Sequence, residues 1–158
     1  MLFRSALLID NTNFACEKLL AARENRIAKQ IEPDGKMPRE LARTLSFHYS
    51  LFNLGAAMQL ADLGRSAGVD LWHYRTTDGR SILKAAEYLA QFADPGRTWP
   101  YQQIQKPNRH ELGELLLRVA AEFPDGKIKD ALKFFQPEDF ADSVERLYLK
   151  MMRPPPAK

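Results

Sequence analysis

The stretch Pro38-Arg39-Glu40-Leu41-Ala42-Arg43-Thr44-Leu45-Ser46-Phe47-His48-Tyr49-Ser50-Leu51-Phe52-Asn53-Leu54 gathers the side chains most able to move protons or hold charge. At about 100° per residue, Ser46, Ser50 and Asn53 form a polar strip along an otherwise apolar helix, with Tyr49 at its edge. Burying hydroxyls and an amide costs roughly 1–3 kcal/mol per unsatisfied group. Each of these residues could be satisfied by neighbouring backbone or ordered water. With Arg43 and His48 within two turns, the group as a whole reads as a site in a cleft. His48 and Tyr49 suit general acid and base work, because histidine titrates near neutrality and a phenol can do so beside a cation. Arg43 precedes Tyr49 by six residues, so a kink or a helix start between them would bring the two together. The ordinary alternatives are a core or supporting role for His48 and a surface ion pair with Glu40 for Arg43.

A second group of side chains falls in loops. Trp72, Tyr74, Trp99 and Tyr101 are flanked by Arg75, Arg80 and Arg97, which suits the flat faces and negative groups of an acidic sugar polymer. Plugging the end of a helix pair is the plainer role, and for Trp72 the favoured one. His73 and His110 read as isolated, exposed residues. The chain has no metal-ligand spacing, no glycine-rich phosphate loop and no nucleophile elbow. Its one cysteine, Cys16, excludes an internal disulfide and a cysteine-based zinc site.

The elements that must position these groups are helical. A first helix is predicted over about 12–30, with Phe14, Cys16, Leu19, Leu20, Ile27 and Ile31 apolar, and Glu32-Pro33-Asp34-Gly35 ends it in turn chemistry. A second begins between Pro38 and Leu45 and runs to about Ala67. It carries two apolar stripes, Phe47-Leu51-Leu54-Met58-Ala61 and Phe52-Ala56-Leu60-Leu63, which predict burial on two sides. A third spans about 80–93, and a fourth starts at Asn108 with Glu111 completing a capping box. Shorter helices are expected over about 127–135 and 138–152, before a Pro154-Pro155-Pro156 tail that cannot be helical. Doubly buried helices paired with one-sided ones make an all-α fold of layered α/α hairpins, a toroid or a solenoid, and no short repeat favours the solenoid.

Composition fits this picture. The chain of 158 residues is 45% hydrophobic and 27% charged, one domain's worth of soluble globular protein. Its net charge of +3 is too small and dispersed to argue for nucleic acid. The longest apolar run near the start, Ala6 to Ile9, is too short for a membrane span or an export signal.

The run Ile31-Glu32-Pro33-Asp34-Gly35, Pro38 to Thr44, Phe47-His48-Tyr49-Ser50 and Phe52-Asn53-Leu54 resembles the alginate lyase family of polysaccharide lyases. Gly68-Val69-Asp70-Leu71-Trp72, Asp78-Gly79-Arg80-Ser81 and Trp99-Pro100-Tyr101-Gln102-Gln103-Ile104 resemble it too, so the likeness covers about residues 20–105. The resemblance implies an α/α toroid that holds an acidic polysaccharide, alginate or another polyuronate, in a groove and cleaves it by β-elimination. That reaction removes the proton at C5, beside the sugar carboxylate, and expels the oxygen at C4. It requires neutralising the carboxylate, abstracting the proton and protonating the leaving oxygen. By the motif match Tyr49 would be the acid and possibly the base. Arg43 would bind the carboxylate or assist the phenol, and His48 and Asn53 would position the substrate or touch sugar. Arg39, Trp99 and Tyr101 join the expected substrate contacts. No cofactor, metal, nucleic acid or membrane partner is implied, and the location implied is periplasmic or secreted.

The family's carboxylate neutraliser lies in an upstream Asn-Asn-His motif. The nearest string here, Asn11-Thr12-Asn13-Phe14, lacks the histidine. Residues 1–153 are therefore expected to be the C-terminal part of a lyase domain, an incomplete toroid, with 154–158 a disordered tail. A fragment of this kind could be inactive alone. The competing readings are a non-catalytic carbohydrate-binding remnant and an α-helical interaction module whose exposed apolar face docks a partner.

Overall fold

The computed structural model describes residues 12–124, 126–136 and 140. Apart from Phe140, the helix expected over 138–152 and the proline tail lie outside these residues. Helix α1, Thr12–Ala22, continues into a π-helical turn, Arg23–Ala28, and together they occupy most of the expected first helix. A short helix, α2 (Pro38–Leu41), has proline in its first turn, where a missing N–H costs nothing. Next come α3, Ser46–Ser66, and α4, Ile82–Ala90, which ends in a 3-10 turn, Gln91–Ala93. Then α5, Arg109–Glu122, and α6, Ile128–Leu132, complete the order. Among the described residues every regular element is helical. The exception to helical pairing is an isolated antiparallel bridge between Leu45 and Gln103.

Local signals start these helices where expected. Ser81 caps α4, its Oγ accepting from the Lys84 amide at 3.1 Å. Asn108 caps α5 by accepting from the Glu111 amide at 3.3 Å. The turn before α2 needs Gly35, whose φ of 88° is left-handed and whose missing Cβ would strike the Lys84 carbonyl.

Helix α3 is the centre of the molecule and touches α1, α2, α4 and α5. Its stripe Phe47, Leu51, Leu54, Met58 and Ala61 is fully buried against Ile82, Ala85, Ala86 and Leu89 of α4 and Leu112, Leu116 and Val119 of α5. Each of the larger side chains among them contributes about 1.5–3 kcal/mol by leaving water. The second stripe departs from expectation. Leu60 and Leu63 are half-buried, but Ala56 is exposed and Phe52 is 67% exposed. The physical reason is that α5 covers only one flank of this half of α3. It leaves an open groove of about 280 Å³ lined by Leu51, Phe52, Ala56, Glu111, Glu114 and Arg118, among others.

Arg80 clamps the turn after the loop aromatics to the end of the first helix. Its guanidinium donates to the Ala28 and Ile31 carbonyls at 3.0 and 3.2 Å, and meets Asp78 at 2.8 Å and Glu32 at 3.3 Å. The Thr76 hydroxyl and Arg80 together hold the Asp78 carboxyl below its ordinary value of 3.8. A carboxyl depressed by folding contributes stability above its unfolded pKa and loses it as pH falls through the folded one. An Asp78→Asn variant should therefore flatten the acid limb of a thermal-melt series below about pH 4. An unchanged acid limb would remove Asp78 from this clamp.

Candidate active site

Tyr49 lies in the first turn of α3, half-buried, and the guanidinium carbon of Arg43 sits 3.8 Å from the centre of its ring. The two meet because the helix begins between them, at Ser46, so Arg43 approaches from the connection that follows α2. A guanidinium on an aromatic face is held by the ring quadrupole, worth about 0.5–1 kcal/mol at an exposed site. Arg43 is exposed and forms no ion pair with Glu40, whose carboxylate is engaged elsewhere. His48 packs edge-on to Tyr49, with ring centres 5.6 Å apart, and its Nδ1 lies 3.7 Å from a Glu111 carboxylate oxygen across the groove.

One turn further, Asn53 donates from Nδ2 to the side-chain oxygens of Gln30, at 3.1 Å, and Glu40, at 3.3 Å. It ties α3 to the end of the first helix and to α2. Arg39 is exposed in α2. The structure thus brings Arg43, Tyr49 and His48 into contact, with Asn53 along the same helix and Arg39 on the neighbouring one.

The polar strip itself divides. Ser46 and Ser50 are fully buried and satisfied within the fold. Ser50 donates to the Ser46 carbonyl at 2.8 Å, and Ser46 donates to the Gln102 carbonyl at 2.6 Å while accepting from the Trp99 indole at 2.7 Å. Neither is available to a ligand.

Trp99 is not the open platform expected of it. Only 9% of it is exposed, its indole N–H is taken by Ser46, and Phe47, Phe92, Tyr88 and Tyr101 crowd its ring. No face remains for a sugar. Tyr101 is half-buried and tilted against Trp99, and its hydroxyl accepts from Tyr88 at 3.3 Å. Burial, then the bond to Tyr101, pushes the Tyr88 phenol well above its ordinary value of 10.0.

Among the other aromatics, Trp72 is buried and donates to Asp62 at 3.0 Å, plugging the space between helices. Tyr74 lies under the Arg23 guanidinium. His73 and His110 are exposed but not isolated, since His73 bonds Asp70 at 2.9 Å and His110 lies 3.4 Å from Glu114. Of the flanking arginines, Arg80 is occupied as a clamp, and Arg97 donates to Gln91 at 2.9 Å.

Sequence reasoning missed Gln103 and Gln30. Gln103 accepts from the Phe47 amide at 2.9 Å and so closes the start of the helix that carries Tyr49. A signal was available. Ser46 resembles a cap but occupies the first helical position, and Leu45 before it has no side chain able to accept. The open amides of α3 therefore had to find a partner from elsewhere in the chain.

Comparisons with known proteins give the family and the fold. A family model described as alginate lyase matches residues 3–99. This match reaches further upstream than the motifs above and stops at Trp99. The crystal structure of an alginate lyase from Bacteroides ovatus superposes with a TM-score of 0.80 at 31% identity. The alignment covers 94% of this chain and 39% of that one, so the chain spans well under half the length of this relative. The comparison with curated proteins gave no match.

Proposed function

Since the chain belongs to the alginate lyase family, an all-α family with the α/α toroid fold, we propose that it acts on alginate or a related polyuronate by β-elimination at uronic acid residues. The observation that carries this reading is the stack of Arg43 on Tyr49, one residue from His48, on an accessible edge of α3. Arginine can lay one face on an aromatic ring and still offer its edge N–H groups to a carboxylate. Arg43 would meet the uronate carboxylate, drawing charge from the C5 carbanion as it forms. Tyr49 would deliver a proton to the C4 oxygen as the glycosidic bond breaks, and in its ionised form could take the C5 proton. His48, which faces Glu111, and Asn53, fixed by Gln30 and Glu40, would border the sugar. Arg39 would supply a second positive charge toward the polymer, and Tyr101 packs against Trp99 and Tyr88. A periplasmic or secreted location accompanies this reading. Among the described residues no helix is long and apolar enough to cross a membrane.

The direct experiment incubates the chain with alginate and with other polyuronates and follows the ultraviolet absorbance of unsaturated sugar ends. Release of such ends is expected, and none from any polyuronate would overturn the catalytic reading. The competing reading is a binding-only role, in which the Arg43–Tyr49 stack holds the polymer without turning it over. It predicts salt-sensitive polymer binding with no unsaturated product.

A further inference from the structure

Both partners of the Arg43–Tyr49 pair are held by one short segment that touches neither of them through the contacts described. Residues 99–104 run across the start of α3. The Ile104 amide donates to the Thr44 carbonyl at 3.0 Å, beside Arg43, and Gln103 bridges Leu45. The Ser46 amide donates to the Gln102 carbonyl at 3.2 Å, and the Phe47 amide to Gln103 Oε1 at 2.9 Å. Trp99 completes the strap from below through its bond to Ser46.

A helix start leaves its first amides without intrahelical partners, and the first two of α3, those of Ser46 and Phe47, are met here by residues 56 positions away. The first bond that closes the helix onto itself is from the Tyr49 amide to the Leu45 carbonyl, at 2.9 Å. Tyr49 thus sits two residues past Phe47, the last amide that depends on the strap. If the first turn unwinds, Tyr49 moves relative to an Arg43 that belongs to the preceding connection.

We propose that Gln103 is a positioning residue of this site, its side-chain carbonyl locking the first turn of α3 so that Tyr49 stays in register with Arg43. The inference rests on the lyase reading for its catalytic consequence, but its geometric content stands apart from turnover. Gln103 touches neither Tyr49 nor Arg43 through its side chain in the contacts described, so its effect on the reaction would pass through the Phe47 amide. A misplacement of about 1 Å at a reacting group can cost on the order of 100-fold in rate.

The test compares Gln103→Leu, which removes the acceptor at similar size, with Gln103→Glu, which keeps an acceptor where a helix start favours negative charge. Nuclear magnetic resonance reads the exchange rate of the Phe47 amide and the ring resonances of Tyr49. Steady-state assays on a polyuronate read kcat and KM separately. Gln103→Leu should speed Phe47 exchange at least about 10-fold, shift the Tyr49 ring signals and lower kcat by about 10- to 100-fold with KM little changed. Gln103→Glu should restore all three.

Unchanged exchange and ring signals in Gln103→Leu would overturn the proposal whatever the activity. So would an unchanged kcat in a variant whose Phe47 amide had been set free. A general loss of folding would show as fast exchange throughout α3, including Leu54 and Met58, and the Gln103→Glu chain then decides through its own Phe47 exchange and kcat. If the unmodified chain turns over no polyuronate, it is the lyase reading that fails. Phe47 exchange and the Tyr49 ring signals then still decide whether Gln103 holds the pair.

Discussion

Replacing Tyr49 by phenylalanine is expected to cut the release of unsaturated ends from a polyuronate by about 100- to 10,000-fold, the usual contribution of a positioned proton donor or acceptor. The substitution removes one hydroxyl and little else. The ring that Arg43 covers at 3.8 Å remains, so the guanidinium keeps its seat and the carboxylate contact proposed for it survives. Polymer binding should therefore be close to unchanged, and so should the melting temperature, because Tyr49 is half-buried and none of the hydrogen bonds described involves its hydroxyl. A loss confined to kcat marks an interaction made only in the transition state. If Tyr49→Phe retains the unmodified rate, the phenol is not the proton carrier, and His48 becomes the group to examine.

The second large effect concerns stability. Trp99→Ala should destabilise the fold by about 3–5 kcal/mol, the range for removing a buried large aromatic side chain. That is a large share of the 5–15 kcal/mol typical of a whole domain. The substitution would open a void among Phe47, Phe92, Tyr88 and Tyr101 and take away the donor that satisfies Ser46. Urea unfolding measures this directly. A sugar platform would behave in the opposite way, leaving unfolding unchanged and weakening polymer binding. That outcome would return Trp99 to the role first expected of it.

The helices were largely legible because their signals are local. Asn108 with Glu111, and the spacing of Ile82, Ala85, Ala86 and Leu89, identify α5 and α4 from periodicity and capping. The pairing of Arg43 with Tyr49 was also within reach, since a helix start between them was one of two ways to join them. Phe52 and Ala56 show what periodicity does not carry. An apolar stripe reveals what a helix could bury, whereas its burial depends on whether a neighbour lies alongside, and α5 leaves this flank open.

Trp99 and Ser46 illustrate a different loss of information. Each alone carries a polar group that is costly to bury, which argues for exposure or for a site. Together the indole N–H and the hydroxyl satisfy one another across 53 positions, and both sink into the core. Gln103 was hidden for a similar reason, as its partner is a main-chain amide that no side-chain pattern marks.

The same long-range strap has a consequence for how the protein is made. Ribosomal synthesis proceeds from the N-terminus at roughly 5–20 residues per second. Arg43 and Tyr49 therefore leave the tunnel several seconds before the residues that hold them in register. A nascent chain halted short of Gln102 would carry every proton-handling side chain proposed here, yet lack the clasp that aligns them. The clasp thus joins after α1, α2 and α4 and before α5, so the proposed pair is aligned only once three of the four helices that touch α3 have been made.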